Sequence, residues 1–375
     1  MLKNHVLKSA IPVPATRMPE SITDQLVVNM KISVIICTYN GASRLPATLE
    51  KLAAQTVTAE CSWEVLLIDN ASTDDTAAVA RQIAIDFPAP LRVLHEPTPG
   101  KANALHTAFR EAAGEYYCIV DDDNLLEPDY LAHGVKFLDQ HSDVALIGGR
   151  TFPQFPDRID PPSDFDVRFA HFLACFDHGT EIIWDKIPPG AGQMGRVFLM
   201  RGIYEHIGTW LGDRIGDGVG CCEDLEKAIV CRQLGWRSAH VPQLRLHHLM
   251  SSRRLTGDYI DALQCAALAT IPWLLTLEGK ECGTSWLSSG LRIMSDVFQL
   301  GKYALLSAVP QFHRRLKRAP FCRKMYASRL AGRLALLKNR QRATAYVARI
   351  HAAPICLRPQ RDGATTAPQS TMAFV

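Results

Sequence analysis

The chain has no CxxC pair, no GxxxxGK[ST] loop and no uninterrupted apolar run of membrane-spanning length. The first absence excludes the usual zinc ribbons and disulfide frameworks. Eleven cysteines are scattered from Cys37 to Cys356 with one adjacent pair, Cys221–Cys222, which reads as reduced thiols facing a cytosol, mostly serving as small buried hydrophobes. The second absence excludes a Walker A nucleotide hydrolase. The longest uncharged stretch, Ala262 to Leu277, contains Pro272 and lies between Asp261 and Glu278; about 20 apolar residues normally span a bilayer. The first 29 residues lack the apolar core of a signal peptide and read as a tail. With 375 residues, 47% of them hydrophobic, the chain is neither disordered nor collagenous and suits one large α/β domain plus an appendage, or two to three ordinary domains.

Acid is missing from one region. Residues 1–296 hold 26 Lys+Arg against 37 Asp+Glu, whereas residues 297–361 hold 15 Lys+Arg and no acid, within a net charge of +3. An acidic body with a basic C-terminal arm calls for an anionic partner. That partner is a membrane surface, a nucleic acid or an acidic protein, and the arm's lack of aromatic interleaving argues against nucleic acid.

Along the body, short β-branched runs alternate with helical stretches. Strands are expected at Ile32–Cys37, Glu64–Ile68, Leu91–Leu94, Tyr116–Val120 and Val144–Ile147, with helices from Ser43, Ser72 or Thr73, Gly100 and Pro128. That alternation implies a mostly parallel sheet flanked by helices, with ligands at the carboxyl ends of the strands. Thr38–Asn40, Asp69–Asn70 and Asp121–Asn124 all fall at those ends. Beyond 151, prolines, glycines and an aromatic patch from Phe165 to Phe176 suggest loops and an edge of mixed sheet. Glu223–Asp224 opens a helix to about Leu234, and Arg237–Val241 is a short strand before His247–His248. The segment 256–350 reads as helical and basic, with a stripe of Tyr326, Leu330, Leu334 and Leu337, and 351–375 as a disordered tail.

Three adjacent carboxylates, Asp121 to Asp123, repel unless a cation sits among them; at a strand mouth a hard divalent ion fits, and a solvated turn is the plain alternative. Asp69 suits a base or ribose contact, or an Asx turn. Gly100–Lys101 at a helix start favours an anion. Acids at Glu223–Asp224 are favoured by the helix dipole whatever their role. Of His247 and His248, adjacent on a strand, at most one faces a metal. Trp210 and Trp236 suit packing or sugar stacking.

Taken in order, Ile32–Gly41, Leu67–Thr76, Gly100–Leu105, Val120–Asn124, Gly190–Met194 and Cys222–Glu226 resemble the family 2 glycosyltransferases over about residues 30–255. The resemblance implies a Rossmann-like GT-A fold and an inverting transfer of one sugar from a UDP-, GDP- or dTDP-linked donor to a saccharide or lipid-linked acceptor, with Mn²⁺ or Mg²⁺. It implies that Thr38, Tyr39, Asn40, Asp69, Lys101 and Asp121 line the nucleotide pocket. It implies that Asp121, Asp123 and one of the two histidines (His247 is our choice) hold the metal, and that Asp224 is the base. Gly192, Gln193 and Glu223 would lie on the acceptor side. Gln193 stands where the family has Asn, and the Gln-x-x-Arg-Trp signature of processive synthases is absent, so single-sugar transfer is expected. A polyprenyl-phosphate sugar transferase and a non-catalytic glycan-binding module are the alternatives. The expected place is the cytoplasmic face of the plasma membrane, in polysaccharide or glycolipid synthesis.

Overall fold

The computed structural model describes residues 30–58, 61–155, 165, 170–186, 190–209, 222–279, 286–308 and 319–360. The expected N-terminal tail, the loop Leu211–Gly220 with Trp210, and residues 361–375 lie outside them.

The first half follows the alternation. Strand β1 (Ile32–Thr38) is followed by α1 (Leu45–Ala53), β2 (Trp63–Asp69), α2 (Thr76–Ala84), β3 (Leu91–His95), α3 (Lys101–Glu111) and β4 (Tyr116–Ile119). β1 lies between β2 and β4, parallel to both, and β3 continues the sheet beside β2. The helix starts differ from expectation. Arg44, not Ser43, precedes α1, with a proline in the first turn. Ser72 accepts from the Asn40 N–H instead of capping, and α2 begins after Asp75.

The second half departs further. β5 (Asn124–Leu126) follows directly, then α4 (Tyr130–Gln140), β6 (Val144–Gln154), β7 (Ile183–Trp184), β8 (Met194–Arg196), α5 (Val197–Gly202) and a π-helical turn, Ile203–Ile207. Next come α6 (Glu223–Gln233) and β9 (Arg237–Leu249). The sheet order is β3-β2-β1-β4-β8-β6-β9-β5, with β7 paired to β9. β8 runs antiparallel between β4 and β6, so the expected glycine turn at 190–194 feeds a strand. β9 is 13 residues long, and β5 pairs antiparallel with it, Asn124 opposite His248.

Side chains alternate across the sheet with the period of two that strands impose. Val34, Ile36, Val65 and Leu67 pack under α1, α2 and α4. Ile35, Leu66 and Ile68 face α3, α5 and α6. Each fully buried Leu or Ile contributes roughly 1.5–3 kcal/mol.

The C-terminal segment consists of α7 (Gly257–Leu277), α8 (Trp286–Ala308), α9 (Ala319–Lys338) and α10 (Arg340–His351). It is not one appendage. Trp273, Leu274 and Leu277 of α7, and Tyr346 and Ile350 of α10, join the main core beside α6. The expected tail from 351 is also corrected up to residue 360: Leu357 is buried, and its carbonyl accepts from Trp236 Nε1 at 2.7 Å. Trp236 is therefore a core residue. In α9 the buried leucine is Leu336; of the expected stripe Leu334 is half exposed, whereas Tyr326, Leu330 and Leu337 are partly buried.

Candidate active site

Thr38 and Asp69 are register partners at the ends of β1 and β2, and Asp121 follows β4. The loops after these strands are tied to each other. Asn40 (φ 48°) accepts from the Thr73 N–H at 2.8 Å, and the Gly41 N–H donates to Thr76 Oγ1 at 2.8 Å. A Cβ on Gly41 would stand 2.1 Å from Thr38 Oγ1, so only glycine admits this approach. Asn70 donates to the carbonyls of Glu96 and Thr98 and accepts from the Gly100 N–H, which sets the turn that opens α3. Asp69 is buried, accepts from the Ser72 N–H at 3.2 Å and lies 3.5 Å from His95 Nδ1. Tyr39 stands exposed at the rim.

The three aspartates have three different surroundings. Asp121 pairs with Lys101 at 2.7 Å, and the same ammonium lies 3.8 Å from Glu223. Asp122 turns inward; Arg44 grips both its oxygens at 3.0 and 2.7 Å, and Thr38 Oγ1 donates to it at 2.5 Å. Asp123 is buried, 3.4 Å from His248 Nε2 and 2.8 Å from Arg254. Burial works against its charge, but the neighbouring His248, with Arg254 and Arg44, outweighs that and holds its pKa below the ordinary value.

Asp123 Oδ1 is a buried oxygen with no hydrogen bond that meets geometric limits among the described residues. His248 Nδ1 lies 2.8 Å from the Leu173 carbonyl, and Nε2, beside Asp123, is met by Arg254, which a bound cation would have to displace. A carboxylate oxygen and an imidazole nitrogen fit a divalent ion that draws its remaining ligands from phosphates and water. No group of three or more His, Cys, Asp or Glu suited to a metal occurs among the described residues, so the protein would supply only part of the shell. His247 does not belong to it. It points to the other face of β9, 3.5 Å from Glu127 and against the Phe152 ring. Where His247 was expected beside the aspartates, the structure places His248, because neighbouring strand residues alternate.

Cys222 takes a left-handed φ of 70° at the head of α6, which turns Glu223 and Asp224 toward Lys101. Solvent reaches Asp224, yet the protein around it and the adjacent Glu223 carboxylate push its pKa up to about 6, while Lys101 and the Leu225 N–H pull the other way. Around Lys101 the crowding lowers and the charges of Asp121 and Glu223 raise; the charges win, and its pKa lies above the ordinary value.

Gly192 and Gln193 sit lower. The Gly192 carbonyl accepts from Tyr130 OH at 2.6 Å, and buried Gln193 accepts from Tyr117 OH at 3.2 Å, with no partner for its Nε2 among the described residues. Neither is at the surface of the rim. On the other side of Asp123 lies a cavity of about 620 Å³ lined by Arg44, Arg253, Arg254, Phe155 and Tyr259 among others. Arg44 and Arg254 had no signal in the sequence; each acts on a carboxylate far away along the chain.

The profile described as "Glycosyl transferase family 2" matches residues 33–201. Residues 33–201 are a glycosyltransferase family 2 domain. The chain is 31% identical over 131 residues to poly(ribitol-phosphate) beta-N-acetylglucosaminyltransferase TarS of Staphylococcus aureus, 33% of this chain and 23% of that protein. It is 32% identical over 176 residues to an uncharacterised glycosyltransferase of Nostoc sp., 47% of this chain and 53% of that protein. The chain thus spans about half or less of these relatives' length. A solved mannosyltransferase from Pyrobaculum calidifontis in complex with GDP-Man and Mn²⁺ shares 21% identity at a TM-score of 0.47, covering 87% of each chain. The strand order and flanking helices above carry the GT-A assignment.

Proposed function

We propose that this domain is an inverting, metal-dependent glycosyltransferase that moves one sugar from a nucleoside-diphosphate donor to an acceptor hydroxyl. The reading rests above all on the pairing of a buried, hydrogen-bond-poor carboxylate oxygen at Asp123 with a separate carboxylate, Asp224, whose pKa is raised to about 6. Acids with opposite pKa shifts in one cleft suit different tasks.

Asp69 holds the nucleobase, and Thr38, Tyr39 and Asn40 line the nucleotide. Asp123 and His248 would hold Mn²⁺ or Mg²⁺, which when bound would supply Lewis-acid neutralisation of the leaving diphosphate. Asp224 takes the acceptor proton as the hydroxyl oxygen attacks the anomeric carbon from the side opposite the diphosphate. One displacement inverts the configuration. A base near pKa 6 is ionised at neutral pH and still accepts a proton readily. Lys101 keeps Asp121 and Glu223 from repelling the diphosphate. The acceptor is a saccharide or a lipid-linked one at the cytoplasmic face of the membrane, in polysaccharide or glycolipid synthesis; the basic arm at 297–361 supports that place.

Thermal stabilisation by UDP, GDP, dTDP and CMP, each with and without Mn²⁺, tests this. A ligand at 100 times its Kd adds about 2.7 kcal/mol. The expected result is a response to one diphosphate that needs Mn²⁺ and is lost in Asp123→Ala. Well-folded protein that answers no nucleotide would defeat the reading.

A further inference from the structure

Among the described residues, helix α8 is anchored on one side. Asp296, fully buried, accepts from Arg329 Nε at 2.8 Å and from Arg333 at 2.7 Å, and Tyr303 stacks on Tyr326 at 5.5 Å. These contacts fix α8 against α9. On the side opposite Asp296, Leu291, Met294, Phe298 and Leu305 recur at i, i+3, i+7 and i+14, which lays them in one stripe. Their exposures are 64%, 65%, 70% and 70%. Single exposed apolar residues need no explanation, but a row of four along one helix does.

Charge decides what covers it. The stretch 297–361 carries fifteen cations and no acid, and Lys302, Arg323 and Lys324 are exposed on α8 and α9. A second copy would bring two such surfaces face to face, like charge against like. An anionic bilayer offers hydrocarbon for the stripe and negative headgroups for the cations. α7 adds to the apolar bundle: it is a 21-residue helix apolar enough to cross a membrane by length and composition, with only 33% of its most apolar window buried. Its C-terminal half is built into the main core, which makes its role contact rather than crossing.

We propose that α8 lies in the plane of an anionic membrane, with Leu291, Met294, Phe298 and Leu305 inserted between lipids and Lys302, Arg323 and Lys324 on the headgroups. This deepens the membrane part of the proposed function and does not depend on the catalytic assignment. The test is flotation of the full chain with vesicles of phosphatidylcholine alone and of phosphatidylcholine with phosphatidylglycerol. Wild-type protein is expected to float with the anionic vesicles, less so at high salt. The triple variant M294S/F298S/L305S should bind them at least tenfold more weakly. Those side chains are exposed, so its thermal midpoint and nucleotide response should match wild type, which separates failure here from failure of the catalytic reading. Wild-type protein that binds no vesicle, or a triple variant that binds as well as wild type, overturns the proposal. So does a wild-type dimer that the triple variant dissolves into monomers without any vesicle binding.

Discussion

The two flanks of the Asp121–Asp123 run balance charge differently. On the α3 side, one lysine sits between two carboxylates, Asp121 and Glu223, and solvent reaches all three. On the β9 side, Asp123 is buried against His248 and Arg254 and keeps one oxygen free of hydrogen bonds among the described residues. Between them Asp122 faces down into a fork of Arg44. Three adjacent acids coexist because each is assigned a cation from a different element. On the proposed function, the first flank would be rearranged by substrate and the second would hold a cation, while Asp122 is held by Arg44 and Thr38.

The comparison breaks most sharply at Asp123. Asp123→Ala should lower sugar transfer roughly 10⁴-fold, the several kcal/mol of Lewis-acid assistance, and remove the Mn²⁺ dependence of nucleotide stabilisation. Steady-state rates and thermal shifts with and without Mn²⁺ check it. Asp224→Asn, on the other flank, should lower kcat about 10³-fold while leaving donor affinity unchanged.

Its pH signature is specific. In the folded protein the Asp224 carboxyl titrates near 6, above the ordinary carboxylate value, so activity should fall as pH drops through 6. Stability runs the other way. A carboxyl with a raised folded pKa favours the folded state below its unfolded pKa, and that advantage is lost as pH rises through about 6. Asp224→Asn should therefore raise the thermal midpoint at neutral pH while abolishing the acid limb of the rate profile. A variant with unchanged turnover would end the assignment of the base.

Asp122 sharpens the comparison through stability. Arg44→Met leaves a buried carboxylate short of its cation and should cost about 2 kcal/mol in denaturant unfolding, with Asp122→Asn milder. Gly41→Ala pushes a methyl into Thr38 and should cost roughly 1–2 kcal/mol. The smallest effect is expected at His247. His247→Ala should change turnover by less than about twofold, a surface substitution away from the site, whereas His248→Ala should weaken Mn²⁺ binding. Equal losses from both would undo the division between the faces of β9.

What the sequence made legible follows the range of the contacts. β1 to β4 and their helices are local patterns, apolar runs closed by polar turns, and their bounds agree with expectation within a few residues. Thr38, Asp69 and Asp121 follow from that, because a strand end fixes its own rim. β5, β8 and most of β9 were hidden, since their pairings join segments far apart in the chain, as Leu146 with Gly195, 49 residues on, and Asn124 with His248, 124 residues on. The same distance hid Arg254, and it left His247 and His248 indistinguishable until the register with β5 was known. The C-terminal helices looked uniform because composition does not say which apolar face meets the core and which stays bare.

One bond has a consequence for how the enzyme comes into being. The Leu357 carbonyl is stitched to Trp236, and Arg349 and Tyr346 hold the carbonyls of Ile207 and Gly208 ahead of α6. The face of the sheet that carries Asp224 is thus closed by residues made more than a hundred positions later. A nascent chain still lacking them holds the Asp121–Asp123 rim without the wall behind Asp224. That wall closes when α10 returns to the body it left.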